Sequence, residues 1–234
     1  MAAKRVVPGV YQIPLGPVNA FLIETDHLTL VDTGFPDSAE KILQIVRALG
    51  RQPGDIRNIL VTHCHPDHAG GLAALKSATR APAYMHRDDS VMVRTGKAMR
   101  PLTPTPGFVT GLLFRMFIRP GARVAAAEIE HEVHDGEKLS MAGGIRAIHL
   151  PGHCAGQLAF LWPRHGGVLL AADAASNIMG LGLSLGYEDL ALGKRSLAKL
   201  STFTFEIACF GHGRPILRGA SHRFRQKWGT PTLA

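Results

Sequence analysis

The densest cluster of chemically active residues in this sequence is Thr62-His63-Cys64-His65-Pro66-Asp67-His68-Ala69-Gly70-Gly71. Three histidines and one aspartate lie within positions 63–68. Apolar residues 59–61 come directly before the cluster, and an apolar segment follows the two glycines. This order predicts a strand that ends in a side-chain-rich loop, which then enters a helix.

The residue types in this loop are those that bind divalent metal ions. Neutral imidazole and carboxylate oxygen are the usual ligands of zinc and related ions. His63 and His65 are two residues apart, so at the end of a strand they point to the same side. Asp67 and His68 come after the chain has turned, and they can face a second position. Hydrolytic enzymes often hold two metal ions about 3.5–4 Å apart, and the motif predicts such a centre.

The spacing His63-x-His65-x-Asp67-His68 resembles the signature of the metallo-β-lactamase-fold hydrolases, and in particular their lactonase and glyoxalase II-like branch. Other segments resemble the remaining motifs of that family, in the expected order and over nearly the whole chain. These segments are Val31-Asp32-Thr33-Gly34, Pro151-Gly152-His153, Asp173 after the apolar run 168–172, and Gly211-His212-Gly213.

The resemblance implies a complete set of metal ligands. They are His63, His65 and His153 for one ion, Asp67, His68 and His212 for a second, and Asp173 as the bridge between them. It also implies two divalent metal ions as cofactors, zinc in the first place and iron or manganese as alternatives. A hydroxide that bridges the ions would attack the substrate, and Asp67 would orient it or carry a proton. Asp67 and Asp173 are therefore the predicted catalytic residues.

Strand and helix patterns recur in both halves of the chain. The predicted strands are 10–13, 20–24, 28–31, 59–61, 83–85, 145–149, 158–162, 168–171 and 207–210, and the main predicted helices are 37–49, 70–76, 190–200 and 220–228. Strands from each half carry candidate ligands, which predicts two sheets face to face with helices outside. The resemblance implies an α+β fold, the four-layer αββα sandwich. No linker or charge run divides the chain, so residues 1–234 are expected to form one domain.

Residues 87–130 form the least regular segment, because prolines and glycine interrupt it repeatedly. Within it, residues 107–118 are apolar and aromatic with partly helical spacing. Three interpretations stay open: a lid over the metal site, a contact that forms a homodimer, or a helix packed into the core. The resemblance implies that insertions in this place shape the substrate pocket.

Composition sets the broad class of protein. The chain has 234 residues and a formal net charge of +8, but its basic residues are scattered, so a small-molecule substrate is expected and no nucleic acid partner. There is no apolar run of about 18 residues, so no membrane partner is expected. The first nine residues lack the pattern of a signal peptide, which predicts a cytoplasmic location. Three cysteines, Cys64, Cys154 and Cys209, indicate no disulfide framework. Cys64 and Cys154 stand next to candidate ligands and could bind metal, but they are expected to point into the core.

Two groups of residues have no assigned role in the motif. Asp32 either shapes a turn or orients a histidine ligand from behind. The remaining histidines are predicted to be surface or structural residues, with His86 and His149 as candidates to support the site; they are His27, His86, His131, His134, His149, His165 and His222.

This sequence differs from several known branches of the family, and these differences reduce the number of reactions that it is expected to catalyse. Asp173 stands where many class B β-lactamases carry another residue, and few residues follow His212 to form the glutathione-gripping region of a glyoxalase-type thioesterase. Lactonase relatives often place a tyrosine a few residues after the bridging aspartate, whereas here the next tyrosine is Tyr187. The prediction is a dinuclear metal hydrolase of a small carbonyl ester, lactone or thioester. The alternatives are a mononuclear iron enzyme resembling persulfide dioxygenases, or β-lactamase or phosphodiesterase activity on the same fold.

Overall fold

A computed structural model describes residues 2–229 of the chain. In chain order its strands are β1 (Lys4–Val7), β2 (Val10–Pro14), β3 (Asn19–Glu24), β4 (Leu28–Val31), β5 (Ile56–Leu60), β6 (Ala83–His86), β7 (Thr103–Pro104), β8 (His131–Val133), β9 (Lys138–Leu139), β10 (Ile145–His149), β11 (Leu158–Trp162), β12 (Val168–Leu170), β13 (Gly186–Tyr187) and β14 (Ile207–Cys209). Its α-helices are α1 (Ala39–Ala48), α2 (Pro66–Ala69), α3 (Leu72–Thr79), α4 (Arg87–Arg94), α5 (Phe108–Phe117), α6 (Leu190–Ser201) and α7 (Ala220–Trp228).

The strands form two sheets and one small ribbon. The first sheet has the spatial order β1-β2-β3-β4-β5-β6-β8, the second has the order β14-β12-β11-β10-β9, and β7 pairs with β13. In the first sheet β4, β5, β6 and β8 run parallel, and in the second β12 and β14 run parallel. The carboxyl ends of parallel strands meet at one edge of a sheet, so the loops that follow them are brought together there.

The buried side chains form three cores that define four layers. Between the sheets, Phe21 and Leu60 of the first sheet pack with Phe160 and Trp162 of the second. The outer face of the first sheet packs against α1 and α3, and the outer face of the second against α6 and α7. The order of layers is therefore helix, sheet, sheet, helix, which confirms the predicted α+β αββα sandwich.

The outer helices follow from their apolar periodicity. On α1 the side chains of Ile42, Ile45 and Val46 are buried on one face, and Glu40 and Arg47 lie in its first and last turns, where they complement the helix dipole. At the start of α6 the Asp189 side chain caps the helix, since its Oδ1 accepts a hydrogen bond of 2.8 Å from the Leu192 N–H.

The segment 87–130 differs from the rest of the chain in its packing. Its first part, α4, is a regular helix that buries Val93 in the core. In contrast, α5 has no buried residue, so the interpretation of 107–118 as a core-packed helix is wrong. The lid and the homodimer contact stay predictions. No helix within residues 2–229 has both the length and the apolar character needed to cross a membrane.

Candidate metal centre

Three buried histidines converge at the edge where the two sheets meet. His63 and His65 follow β5, and His153 follows β10 of the other sheet. The His65 Nδ1 atom lies 3.1 Å from His63 Nε2 and 3.0 Å from His153 Nε2. Three nitrogen atoms therefore face one point, which is the arrangement that a single metal ion requires of histidine ligands.

A close approach of two backbones fixes the position of His153. Gly152 has φ +137°, and a Cβ on it would lie 2.3 Å from the Gly193 nitrogen in α6. Only glycine fits there without displacing the helix. The Pro151-Gly152-His153 sequence thus brings the histidine to the sheet edge against the start of α6.

A second group of side chains lies beside the first. Asp67 and His68 are on the short helix α2, and His212 follows β14. The Asp67 Oδ2 atom is 3.3 Å from His212 Nε2 and 3.8 Å from His68 Nε2. These three atoms, from two distant parts of the chain, surround a second point.

Asp173 lies between the two groups. It sits in a one-turn helix after β12, and its side chain is almost completely buried. Its Oδ1 is 3.4 Å from His68 Nε2, while its Oδ2 is 3.1 Å from His212 Nε2 and 3.6 Å from His153 Nε2. One carboxylate therefore reaches histidines of both groups. The structure thus brings all seven predicted residues together.

The first group is electrically neutral near pH 7. Burial, together with the positive charge of His68, holds the pKa of His63 well below its ordinary value of 6.5. Burial and the neighbouring His153 lower the pKa of His65 to about 3, and burial lowers the pKa of His153. These imidazoles keep their lone pairs free, as metal ligation requires.

The second group is charged, because its carboxylates attract protons to the histidines. Burial opposes a charge on His68, but the carboxylates of Asp32, Asp67 and Asp173 outweigh it and raise the pKa of His68 to about 10. The pKa of His212 is likewise raised against burial, by Asp173 and Asp67. The protons on His68 and His212 thus balance the negative charge of the buried carboxylates. A divalent cation bound at the same place can balance that charge instead.

Each of the five histidines is oriented through its other ring nitrogen, which faces a hydrogen-bond acceptor. The pairs are His63 Nδ1 with Thr62 Oγ1 (3.0 Å), His65 Nε2 with Cys154 Sγ (3.2 Å), His68 Nδ1 with Asp32 Oδ2 (2.8 Å), His153 Nδ1 with the Gly186 carbonyl (2.7 Å) and His212 Nδ1 with the Pro17 carbonyl (2.8 Å). Such bonds fix the tautomer and leave the lone pair of the opposite nitrogen directed at the metal.

Asp32 serves both roles that the sequence left open. Its backbone is in the left-handed region, with φ +62°, at the turn after β4. Its Oδ1 accepts hydrogen bonds from the Thr62 N–H and hydroxyl, and its Oδ2 faces His68 Nδ1. This carboxylate therefore orients His68 directly, and His63 through the Thr62 hydroxyl.

Sequence reasoning missed a second supporting carboxylate, Asp89 on α4. It is fully buried and accepts hydrogen bonds from the backbone N–H groups of Cys64 (3.0 Å) and Gly156 (3.1 Å). Arg100 balances its charge through a 2.7 Å ion pair. Asp89 thus ties the loop of His63 and His65 to the loop of His153, and no local sequence motif marks it.

All three cysteines are buried, as predicted for Cys64 and Cys154, but Cys154 also contacts a candidate ligand. Burial raises the pKa of Cys154 well above its ordinary value, so the group beside His65 is a neutral thiol. Its sulfur accepts the His65 Nε2–H, which leaves Nδ1 directed at the other two histidines. Cys154 thus positions His65.

Replacing Cys154 with alanine should weaken metal binding by roughly 10–100-fold, the usual cost of losing a partner behind a ligand. Cys154→Ser keeps an acceptor and should lose less. Cys209→Ala is the matched control, because Cys209 is equally buried but lies in the core between the sheets. Competition with a chromogenic chelator measures the affinity. Equal affinities for Cys154→Ala and Cys209→Ala would contradict the role of the thiol.

The remaining histidines lie outside the two groups. The rings of His86 and His149 stack with centroids 3.9 Å apart, and His149 Nε2 faces the Ala155 carbonyl, so this pair supports the loop next to His153. The other histidines are exposed, as predicted: His27, His131, His134, His165 and His222.

The residues present fit a pair of metal ions. His68 Nε2 and Asp173 Oδ1 are buried, and neither has a hydrogen-bond partner. An unsatisfied buried polar atom is costly, and a metal ion removes that cost. Gly211 leaves room at the same place, since a Cβ on it would lie 2.2 Å from Asp173 Oδ1. Two sets of side chains bring their ligand atoms close enough together to hold a metal ion: His63, His68 and Asp173, and Asp67, His68 and His212.

Comparisons with known proteins agree with this geometry. The family profile of the metallo-beta-lactamase superfamily matches residues 13–212. A probable metallo-hydrolase, YqjP of Bacillus subtilis, is 26% identical over 219 residues, 86% of this chain and 69% of the relative. The N-acyl homoserine lactonase AttM of Azorhizobium caulinodans is 29% identical over 132 residues, 56% of this chain and 45% of the relative. A motif mutant of a metallo-beta-lactamase from Cronobacter sakazakii has the same fold, with a TM-score of 0.71, 23% identity and coverage of 91% of this chain and 80% of the other.

Proposed function

The chain belongs to the metallo-beta-lactamase superfamily and is a metal-dependent hydrolase, and from this premise we propose that it uses two divalent ions to hydrolyse a small carboxylic ester, lactone or thioester. The observation that carries the proposal is the position of Asp173, whose two oxygens face histidines of both groups.

Each group of side chains would hold one ion. His63, His65 and His153 would bind the first, Asp67, His68 and His212 would bind the second, and Asp173 would contact both. Zinc is the first choice because histidine nitrogen and carboxylate oxygen suit it, and iron or manganese accept similar ligands. When bound, two such ions supply Lewis acidity and lower the pKa of a coordinated water towards about 7.

Asp67 is the carboxylate best placed to accept a hydrogen bond from the attacking water. Its side chain is 22% exposed, against 7% for Asp173, so it faces the open side of the site. The positive charges of His68 and His212 outweigh the effect of burial and hold its pKa well below 3.8. Asp67 is therefore an ionised acceptor at neutral pH, and we assign it the orientation of the attacking water.

Tyr187 takes no part in this chemistry. Its ring lies 5.8 Å from that of His153, but its hydroxyl is engaged with the Ser184 N–H and the Ala174 carbonyl. Burial raises the pKa of Tyr187 to about 12. Its role is to fold the loop after Asp173.

Two observations support an apolar acyl substrate. Phe114 of α5 lies against Gly186, whose carbonyl accepts the hydrogen bond from His153, so an aromatic ring stands one residue from the site. The related lactonase is named for an N-acyl lactone. A short or medium acyl chain beside Phe114 is the substrate feature that we propose.

The test combines metal analysis with a substrate panel on one preparation. Elemental analysis should find two ions per chain, and turnover of acyl lactones or thioesters should stop with chelator and return with zinc. The panel also contains a β-lactam, a phosphodiester and a persulfide with oxygen uptake as its readout. One iron per chain with persulfide oxidation, or turnover of the β-lactam or the phosphodiester alone, would overturn the proposal.

A further inference from the structure

Helix α5 carries an apolar stripe that nothing in the described chain covers. Phe108, Leu112 and Met116 follow one another at intervals of four residues and are 89%, 57% and 60% exposed. Residues four apart lie on the same face of a helix. Val109, which is 55% exposed, widens the stripe. Clustered exposure of this kind marks an interaction surface rather than scattered surface residues.

The opposite face of α5 holds the helix in place. The Thr110 hydroxyl donates a 2.9 Å hydrogen bond to the Thr105 carbonyl at the ribbon of β7 and β13. The ring of Phe114 packs so closely on Gly186 that a Cβ there would lie 2.6 Å from it. The helix is therefore anchored by one apolar side chain while its apolar stripe points outward.

The charge around the stripe has one sign. No Asp or Glu occurs between Asp89 and Glu128, whereas six Lys or Arg residues do: Arg94, Lys97, Arg100, Arg115, Arg119 and Arg123. Arg94 and Arg100 are paired with carboxylates, at 2.7 Å in each case. Within residues 2–229, Arg115, Arg119 and Arg123 have no carboxylate within 4.0 Å. All three arginines are exposed, and Arg115 on α5 together with Arg119 just after its end forms a basic margin of the helix.

The apolar stripe and the basic margin together indicate which kind of partner matches α5. A second copy of the chain that docked through the same segment would offer no acidic residue from 90–127 to pair with these arginines. An anionic lipid surface takes up both features, because apolar side chains enter the acyl boundary and arginines meet the phosphate headgroups.

We propose that α5 docks this protein on the surface of an anionic bilayer. The sequence predicted no membrane partner because it has no spanning segment, but a helix that lies on the surface needs none. Docking through α5 would place the metal centre close to the lipid surface, since Phe114 contacts Gly186 and Gly186 binds His153. The proposal does not depend on the substrate assigned above.

Vesicle sedimentation of the full chain tests this proposal. The probes are vesicles of phosphatidylcholine alone and of phosphatidylcholine mixed with phosphatidylglycerol. The protein should sediment with the acidic vesicles and stay in solution with the neutral ones, and added salt should release part of it. If the unaltered protein sediments with neither kind of vesicle, the proposal is wrong.

Two variants separate the apolar from the basic contribution. The triple variant Phe108→Gln, Leu112→Gln, Met116→Gln should abolish sedimentation, and glutamine preserves helix propensity. The double variant Arg115→Gln, Arg119→Gln should weaken binding about fivefold for each arginine. Neither variant touches the metal centre, so metal content checks that both are folded.

A matched triple variant removes as many exposed apolar side chains from other elements: Val91→Gln, Met179→Gln and Leu217→Gln. It should sediment like the unaltered protein. Equal losses in both triple variants would show nonspecific adsorption and overturn the assignment to α5. A stable dimer in sedimentation velocity that the α5 variant dissociates, without vesicle binding, would assign the helix to a second copy instead.

Discussion

Asp173→Ala should lose the metal pair and almost all hydrolytic activity, well beyond the roughly 10–100-fold cost of losing a partner behind a ligand. The reason is that one carboxylate serves both positions, through Oδ1 towards His68 and Oδ2 towards His153 and His212. Its removal also leaves Asp67 as the only carboxylate near both His68 Nε2 and His212 Nε2, at 3.8 and 3.3 Å, so the second group loses half of its negative charge. Elemental analysis and turnover with added zinc measure both effects.

Two further variants make this test specific. Asp173→Asn keeps the shape of the side chain but removes its charge, so it should retain the fold and still lose metal. Glu40→Ala is the control, because it removes an exposed carboxylate of α1 that pairs with Arg47 at 3.1 Å, and it should keep both ions. If Asp173→Ala bound two ions with full turnover, the bridging role would be wrong.

The loop after β5 could be identified as a candidate metal site because its residue types and their spacing are local properties of the sequence. His63, His65, Asp67 and His68 occupy one loop, and a loop after a strand has few ways to direct its side chains. His153, Asp173 and His212 were assigned through the resemblance to the metallo-β-lactamase fold, because a single histidine or aspartate after a short apolar strand does not by itself indicate a ligand. Strands in both halves of the chain predicted two facing sheets with helices outside, and the resemblance implied the four-layer sandwich.

The support behind the ligands could be predicted only in part. Asp32 was a candidate because it ends a strand, yet its bonds to Thr62 and His68 depend on the parallel pairing of β4 with β5. Asp89 and Arg100 gave no signal at all. The hydrogen bonds of Asp89 reach Cys64 and Gly156, which lie 25 and 67 residues from it along the chain, and spacing alone does not encode such distant contacts.

The role of residues 107–118 illustrates the same limit. Apolar periodicity predicts a helix, but it does not tell which face is covered. In the structure only the side of Phe114 and Thr110 packs against the protein, while Phe108, Leu112 and Met116 face outward. A core helix and a surface-docking helix therefore have the same sequence pattern, and only burial separates them.

Gly211 should tolerate substitution as poorly as a metal ligand does. Gly211 lies beside Asp173 and His68, and a Cβ on it would be 2.2 Å from Asp173 Oδ1 and 2.6 Å from His68 Cε1. Both neighbours are buried, and neither can move away without leaving its position between the two groups. Gly211→Ala should therefore displace Asp173 or His68 and abolish binding of the second metal ion.

Gly211→Ala should lower both the stability of the fold and the binding of metal, and separate measurements distinguish the two effects. Overpacking a buried site costs about 1–3 kcal/mol of unfolding free energy, which thermal or denaturant unfolding of the metal-free chain reports. The loss of metal and of turnover should be far larger than partial unfolding would cause. The reason is that the protein stays folded while one of its ligands is misplaced. Gly54→Ala is the matched control, since a Cβ there meets nothing within 4 Å. Full metal content and turnover in Gly211→Ala would show that the space beside Asp173 and His68 is larger than the structure allows, and the pairing of these two side chains around a metal ion would have to be abandoned.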